Sequence, residues 1–119
     1  MAVILFVEDD LSARRNIALF LRRSGYEVFE VENGESAVAL LARMKFDVVI
    51  SDLNLPGQLN GIDILHRLRQ TREKIDAILI SACGSDEIAD RVKSLGAVYM
   101  EKPIQLQELK RTIQQRPAK

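Results

Sequence analysis

Three acids in a row, Glu8-Asp9-Asp10, follow directly on the apolar run Ala2–Val7. A further acid, Asp52, follows Asp47–Ser51, and a hydroxyl, Ser81, closes Ala77–Ser81. The pair Lys102-Pro103 comes after Ala97–Glu101. If these runs are parallel neighbours, several carboxylates, one hydroxyl and one ammonium converge on a small area. Crowded carboxylates repel and raise one another's pKa, and a divalent cation relieves that repulsion. An all-oxygen set selects a hard ion, and magnesium accepts a few carboxylates with waters and a phosphate. His66 is the sole histidine and Cys83 the sole cysteine, so the residues of a zinc site are missing. Lys102 can pair with a carboxylate or a phosphoryl oxygen, and Ser81 can donate to the same oxygen. These are the parts of phosphoryl transfer, with the Asp52 carboxylate as nucleophile.

The elements that must position these residues alternate along the chain. The runs AVILFV (Ala2–Val7), DVVIS (Asp47–Ser51) and AILIS (Ala77–Ser81) are mostly apolar, as strands buried on both faces are. Tyr26–Val31 and Ala97–Glu101 predict two more strands. Between them lie five helical patterns: Ser12–Ser24, Glu35–Met44, Ile62–Arg72, Ser85–Leu95 and Leu106–Gln115. In the first, Ile17, Phe20 and Leu21 share a face, and the arginines Arg14, Arg15, Arg22 and Arg23 read as a solvated one. Gly25 and Gly96 are helix stops, Asn33-Gly34 is a break, Leu55–Gly61 is a loop, and Ser85 is an N-cap. Strict alternation implies parallel strands, right-handed crossovers and helices on both faces of an open α/β sheet. Function in such a sheet gathers at the carboxyl ends of the strands, where the polar residues above fall.

The chain of 119 residues fits one domain, 1–119, with a core over about 2–115 and a frayed end at Arg116–Lys119. Its 47% apolar content suffices for a core without staples. Seventeen basic residues balance seventeen acidic ones, which gives no reason to expect nucleic-acid or membrane-surface binding. A single cysteine forms no intrachain disulfide, and no apolar run approaches the ~20 residues of a membrane span. The start lacks a signal-peptide pattern, so the default expectation is a cytoplasmic protein.

Four motifs in order resemble the response regulator receiver family of two-component signalling. They are VEDD (Val7–Asp10), SDLNLPG (Ser51–Gly57), ISA (Ile80–Ala82) and EKP (Glu101–Pro103). The resemblance implies a flavodoxin-like doubly wound sheet of five parallel strands in the order 2-1-3-4-5, with five helices. It implies a phosphoacceptor role for Asp52 and magnesium (manganese as substitute) bound by Asp9, Asp52 and the Asn54 backbone carbonyl. Glu8 would act on the metal through water. It implies that Ser81 and Lys102 bind the phosphoryl group, that the Lys102–Pro103 peptide is cis, and that Tyr99 is a switch aromatic. The implied donors are a histidine kinase or a histidine phosphotransfer domain, and the implied output face is the fourth helix, fifth strand and fifth helix, where a second receiver could pair. Such a domain is a signalling receiver rather than an enzyme, though it assists its own phosphorylation and dephosphorylation.

Two features depart from the commonest pattern. The loop Pro56–Gly61 is slightly long, as in receivers attached to hybrid histidine kinases, and Cys83 stands where relatives carry a larger polar residue. Plainer readings stand beside these. Asp10 is better explained as a helix cap than as a ligand. His66 reads as solvated, and Cys83 as a loop residue with no reason to be reactive. The first-helix arginines, if not merely solvated, could meet an acidic patch on a kinase. One rival class is a degenerate receiver that only binds proteins. Another, a flavodoxin-like ligand module, needs a Ser/Thr/Gly phosphate loop where this chain has Glu8-Asp9-Asp10.

Overall fold

The computed structural model describes residues 2–71 and 74–115. Ten elements alternate: β1 (Val3–Val7), α1 (Leu11–Arg23), β2 (Glu27–Val31), α2 (Gly34–Leu41), β3 (Val48–Asp52), α3 (Gly61–Arg69), β4 (Asp76–Ser81), α4 (Asp86–Ser94), β5 (Val98–Glu101) and α5 (Leu106–Gln114). The strands form one sheet in the order β2-β1-β3-β4-β5, and every neighbouring pair is parallel. This is the flavodoxin-like doubly wound order that the resemblance implies, on the parallel sheet expected from the alternation.

The period of two in each strand explains the layers. Leu5, Val7, Val49, Ala77 and Leu79 point to one face and pack with Ala37, Leu65, Leu68 and Val92 of α2, α3 and α4. Ile4, Phe6, Val48, Ile50, Ile78 and Ile80 point to the other and pack with Ala18, Leu21, Leu109 and Ile113 of α1 and α5. Ile4, Leu5, Val7 and Ile50 are fully buried. Each such side chain contributes roughly 1.5–3 kcal/mol on burial. The three inner strands therefore set the frame on which the polar ends are mounted.

Register places those ends side by side. Val7 lies opposite Ser51, Asp52 opposite Ile80, and Ser81 opposite Glu101. Glu8 is thus level with Asp52, while Lys102 follows two residues past the level of Asp52. Asp52 is the last residue of β3 rather than the first residue after it.

Some expected boundaries move. The second helix stops at Leu41, with Ala42 as its C-cap, instead of running to Met44. Val38 and Leu40 accept the last backbone bonds there, and Met44 is reached through a further turn. The third helix ends at Arg69, and Arg72 lies outside the described residues, as do Arg116–Lys119. The solvated-face reading of the first-helix arginines holds for Arg15 and Arg23, which are exposed. It fails for Arg14, whose side chain is 12% exposed and paired with Glu30 of β2. Arg22 also pairs with Glu30, at 2.7 Å, although it remains half-exposed.

Candidate functional site: an acidic pocket bridged by one lysine

The site begins where β1 runs out of apolar residues. Glu8 keeps its backbone tied to the sheet, since its N–H donates to the Val31 carbonyl at 3.1 Å. The residue is buried, at 3% exposed. Glu8 Oε2 accepts from the Asp10 N–H at 3.1 Å, and Oε1 accepts from Lys102 Nζ at 3.1 Å. Asp10 turns the other way and caps α1, accepting from the N–H groups of Ser12 and Ala13. Asp9, between them, is exposed at the pocket mouth.

Asp52 ends β3 and is 5% exposed. Its Oδ1 accepts from the Asn54 N–H at 3.0 Å, and its Oδ2 accepts from Lys102 Nζ at 2.5 Å. One ammonium therefore bridges two buried carboxylates from separate strands. Carboxylate oxygens of Glu8, Asp9 and Asp52 lie within 4.8 Å of one another. The Lys102–Pro103 peptide is cis, and the Lys102 N–H donates to the Ser81 carbonyl at 2.9 Å.

Three carboxylates face one ammonium, so the pocket carries excess negative charge. Burial pushes the Glu8 carboxyl above its ordinary value, and the Asp52 charge adds to that. The Asp10 N–H and Lys102 pull in the opposite direction without cancelling it. For Lys102, burial favours the neutral amine, but hydrogen bonds to Asp52 and Glu8 outweigh it and hold the ammonium above its ordinary value. An all-oxygen donor set that is under-neutralised and partly buried fits a hard divalent cation.

Residues 4–114 match the model of the response regulator receiver domain. The chain belongs to the receiver family. It is 35% identical to the cell cycle transcriptional regulator CtrA of Caulobacter vibrioides, over 89% of this chain and 46% of that protein. It is 31% identical to the sporulation initiation phosphotransferase F of Bacillus subtilis, over 90% of this chain and 86% of that protein. The chain thus spans about half the length of CtrA and most of the phosphotransferase. Among solved structures, the receiver domain of a LuxO repressor protein from Vibrio parahaemolyticus superposes with a TM-score of 0.89 at 31% identity, covering 95% of this chain and 87% of that one. The chemotaxis regulator CheY4 of Vibrio cholerae gives 0.85 at 30% identity, covering 96% and 97%. Receivers are signalling modules and bind magnesium at an acidic pocket.

Ser81 ends β4, Asn54 follows β3 and Tyr99 lies on β5. Ser81 is buried at the end of β4, and its Oγ accepts from the Cys83 N–H at 3.2 Å. Asn54 is exposed and touches Asp52 through its own N–H. Tyr99 is half-buried on β5; its hydroxyl has no hydrogen-bond partner among the described residues and occupies the space a side chain on Gly84 would need. Cys83 is exposed. His66 is also exposed, and its Nε2 lies 3.2 Å from Arg91 Nη2.

Two contacts, one to Glu8 and one to the loop after β3, escaped sequence reasoning. Arg14 Nη1 donates to the Glu8 carbonyl at 3.0 Å. Glu35, in the first turn of α2, accepts from the Gln58 N–H at 3.0 Å and pins the long loop, where Gly57 adopts φ +88°. Helical periodicity puts Arg14 off the apolar face but cannot tell a solvated guanidinium from one turned back over a strand end. Only the two glycines of the long loop hinted that something would approach it closely.

Proposed function

We propose that Asp52 accepts a phosphoryl group from a phosphohistidine on a histidine kinase or a histidine phosphotransfer domain. The observation that carries this reading is the pair of hydrogen bonds that Lys102 Nζ donates to Glu8 and Asp52, with an Asp9 carboxylate oxygen within 4.8 Å of theirs. Asp9, Asp52 and the Asn54 carbonyl would hold magnesium, or manganese in its place, with Glu8 acting through water. The metal supplies charge neutralisation for the transferring group.

In the transfer, a carboxylate oxygen of Asp52 forms the new O–P bond as the P–N bond breaks. The imidazole nitrogen keeps the electron pair. Lys102 retains its proton and moves its hydrogen bond from Asp52 Oδ2 to a phosphoryl oxygen. The Ser81 hydroxyl turns to donate to another. The new group adds roughly two negative charges beside the end of β4. Ser81 and its loop follow that charge, and Tyr99 shifts with them, biasing two states of the α4/β5/α5 face. That face then reads out to a partner protein or a second receiver. The same pocket assists hydrolysis of the aspartyl phosphate.

The whole chain, 1–119, acts as a single receiver domain in the cytoplasm, without direct contact to nucleic acid or membrane. No helix among the described residues is long and apolar enough to cross a membrane. The assembled acids and lysine speak against a degenerate receiver. Incubation with radiolabelled phosphorylated kinase and magnesium is expected to label the wild type, and neither Asp52→Asn nor the wild type in excess chelator. Equal labelling of Asp52→Asn would overturn the reading.

A further inference from the structure

We propose that Arg14 is a positioning residue for the acidic pocket and thereby sets its cation affinity. The inference rests on the reading of Glu8, Asp9 and Asp52 as the metal-holding acids. Arg14 lies in the second turn of α1, yet its guanidinium reaches back over the end of β1. Nη1 donates to the Glu8 carbonyl at 3.0 Å. Nε lies 3.5 Å from Glu30 Oε1, an ionic contact without a hydrogen bond. Glu30 is itself held by Arg22 Nη1 at 2.7 Å, and Arg22 Nη2 donates to the Val28 carbonyl at 2.7 Å. A chain of charge-assisted contacts thus runs from β2 through α1 to the residue at which the acidic turn begins.

Glu8 shows why that anchor matters. Its N–H is fixed on Val31, and its two carboxylate oxygens are fixed on Asp10 and Lys102. Its carbonyl precedes Asp9 directly, so the orientation of that peptide sets where Asp9 points. Arg14 is the side chain that bonds this carbonyl. Without it, the carbonyl before Asp9 loses its side-chain hydrogen bond, and the turn that carries Asp9 is less well held when a cation arrives. Groups that orient a ligand from behind commonly change affinity by about 10–100-fold when removed. Arg14 acts through the backbone, so the lower end of that range, about tenfold, is expected.

Arg14 also carries charge, and here the two possible roles have opposite signs. Removing a cation near an acidic pocket favours binding of a divalent ion by simple electrostatics. Losing the anchor disfavours it. If Arg14 only stabilises the fold, its removal lowers the melting temperature and leaves the affinity of the folded protein unchanged.

The test is calorimetric titration of magnesium into the ion-free protein well below its melting temperature. Arg14→Ala and Arg14→Lys are compared with the wild type, and folding is checked by circular dichroism. The lysine keeps the charge but lacks the fork that serves Glu8 and Glu30 together. Arg14→Ala is expected to raise the magnesium dissociation constant about tenfold. Arg14→Lys is expected to fall between it and the wild type, and carries the test alone if the alanine variant does not fold. Tighter or unchanged binding in a folded variant overturns the proposal. Asp9→Asn in the wild-type background separates the two levels: undiminished affinity there means that the metal-site reading is wrong, whatever Arg14 does.

Discussion

At the scale of single residues, the pocket balances one ammonium against two buried acids. The Glu8 carboxyl is raised above its ordinary value of 4.5, so the folded ion-free protein holds a proton there more tightly than the unfolded chain. Its stability therefore falls as pH rises from that ordinary value through the raised one. Glu8→Gln is expected to increase the melting temperature of the ion-free protein at neutral pH and to flatten this part of the pH profile. The same substitution should shrink the stabilisation that magnesium gives, which melts with and without chelator would measure. Lys102 has a profile of the same sign at the alkaline end. Its folded value is raised above 10.5, so its contribution is fully present below that pH and is lost as pH rises through the raised value. Thermal melts of Lys102→Met should lack that alkaline loss. Sequence reasoning reached Glu8, Asp52 and Lys102 because each interrupts or follows an apolar run. It could not see that a single Nζ bonds both carboxylates, since that depends on where a long side chain lands.

At the scale of elements, the close approach of α3 to the end of β3 holds Asp52 in place. A Cβ on Gly61 would lie 2.6 Å from the Asp52 carbonyl oxygen, 2.9 Å from Leu53 Cα and 2.7 Å from Leu79 Cδ1. Two of these neighbours are backbone and cannot turn aside. Gly61→Ala is expected to cost about 1–3 kcal/mol in denaturant melts and to slow phosphorylation of Asp52. Loss of the cap on α1 in Asp10→Ala should cost about 1 kcal/mol and leave phosphorylation of the folded protein little changed, since the backbone N–H that bonds Glu8 is kept. The inner strands were legible in the sequence because continuous β-branched runs have few alternatives. Helix ends were less so. Nothing after Leu41 forbids another helical turn, yet the chain leaves the helix before Met44 to bring Phe46 into the core. The arginines of α1 were legible as polar but not as partners of Glu30, because an ion pair across two elements has no periodic signature.

At the scale of the whole molecule, fold and function meet at one edge of the sheet. The strand order puts β1 and β3 side by side at its centre, where their polar ends abut and where an ion that binds only the folded state stabilises it. Magnesium at a hundredfold excess over its dissociation constant should add about 2.7 kcal/mol, a shift that Asp9→Asn and Asp52→Asn should diminish. The alternation of strands and helices made this architecture readable from the sequence, and the four motifs made the family readable. The fit of Tyr99 against the loop after Ser81, where its hydroxyl fills the space beside Gly84, was not, because a contact between two elements leaves no periodic signal. The central claim concerns Asp52, and borohydride trapping tests it most directly. The reagent reduces an aspartyl phosphate to homoserine, which peptide mapping by mass spectrometry then locates. After treatment with acetyl phosphate and magnesium, homoserine is predicted at residue 52 and nowhere else; homoserine at another aspartate, with residue 52 unchanged, would contradict the account.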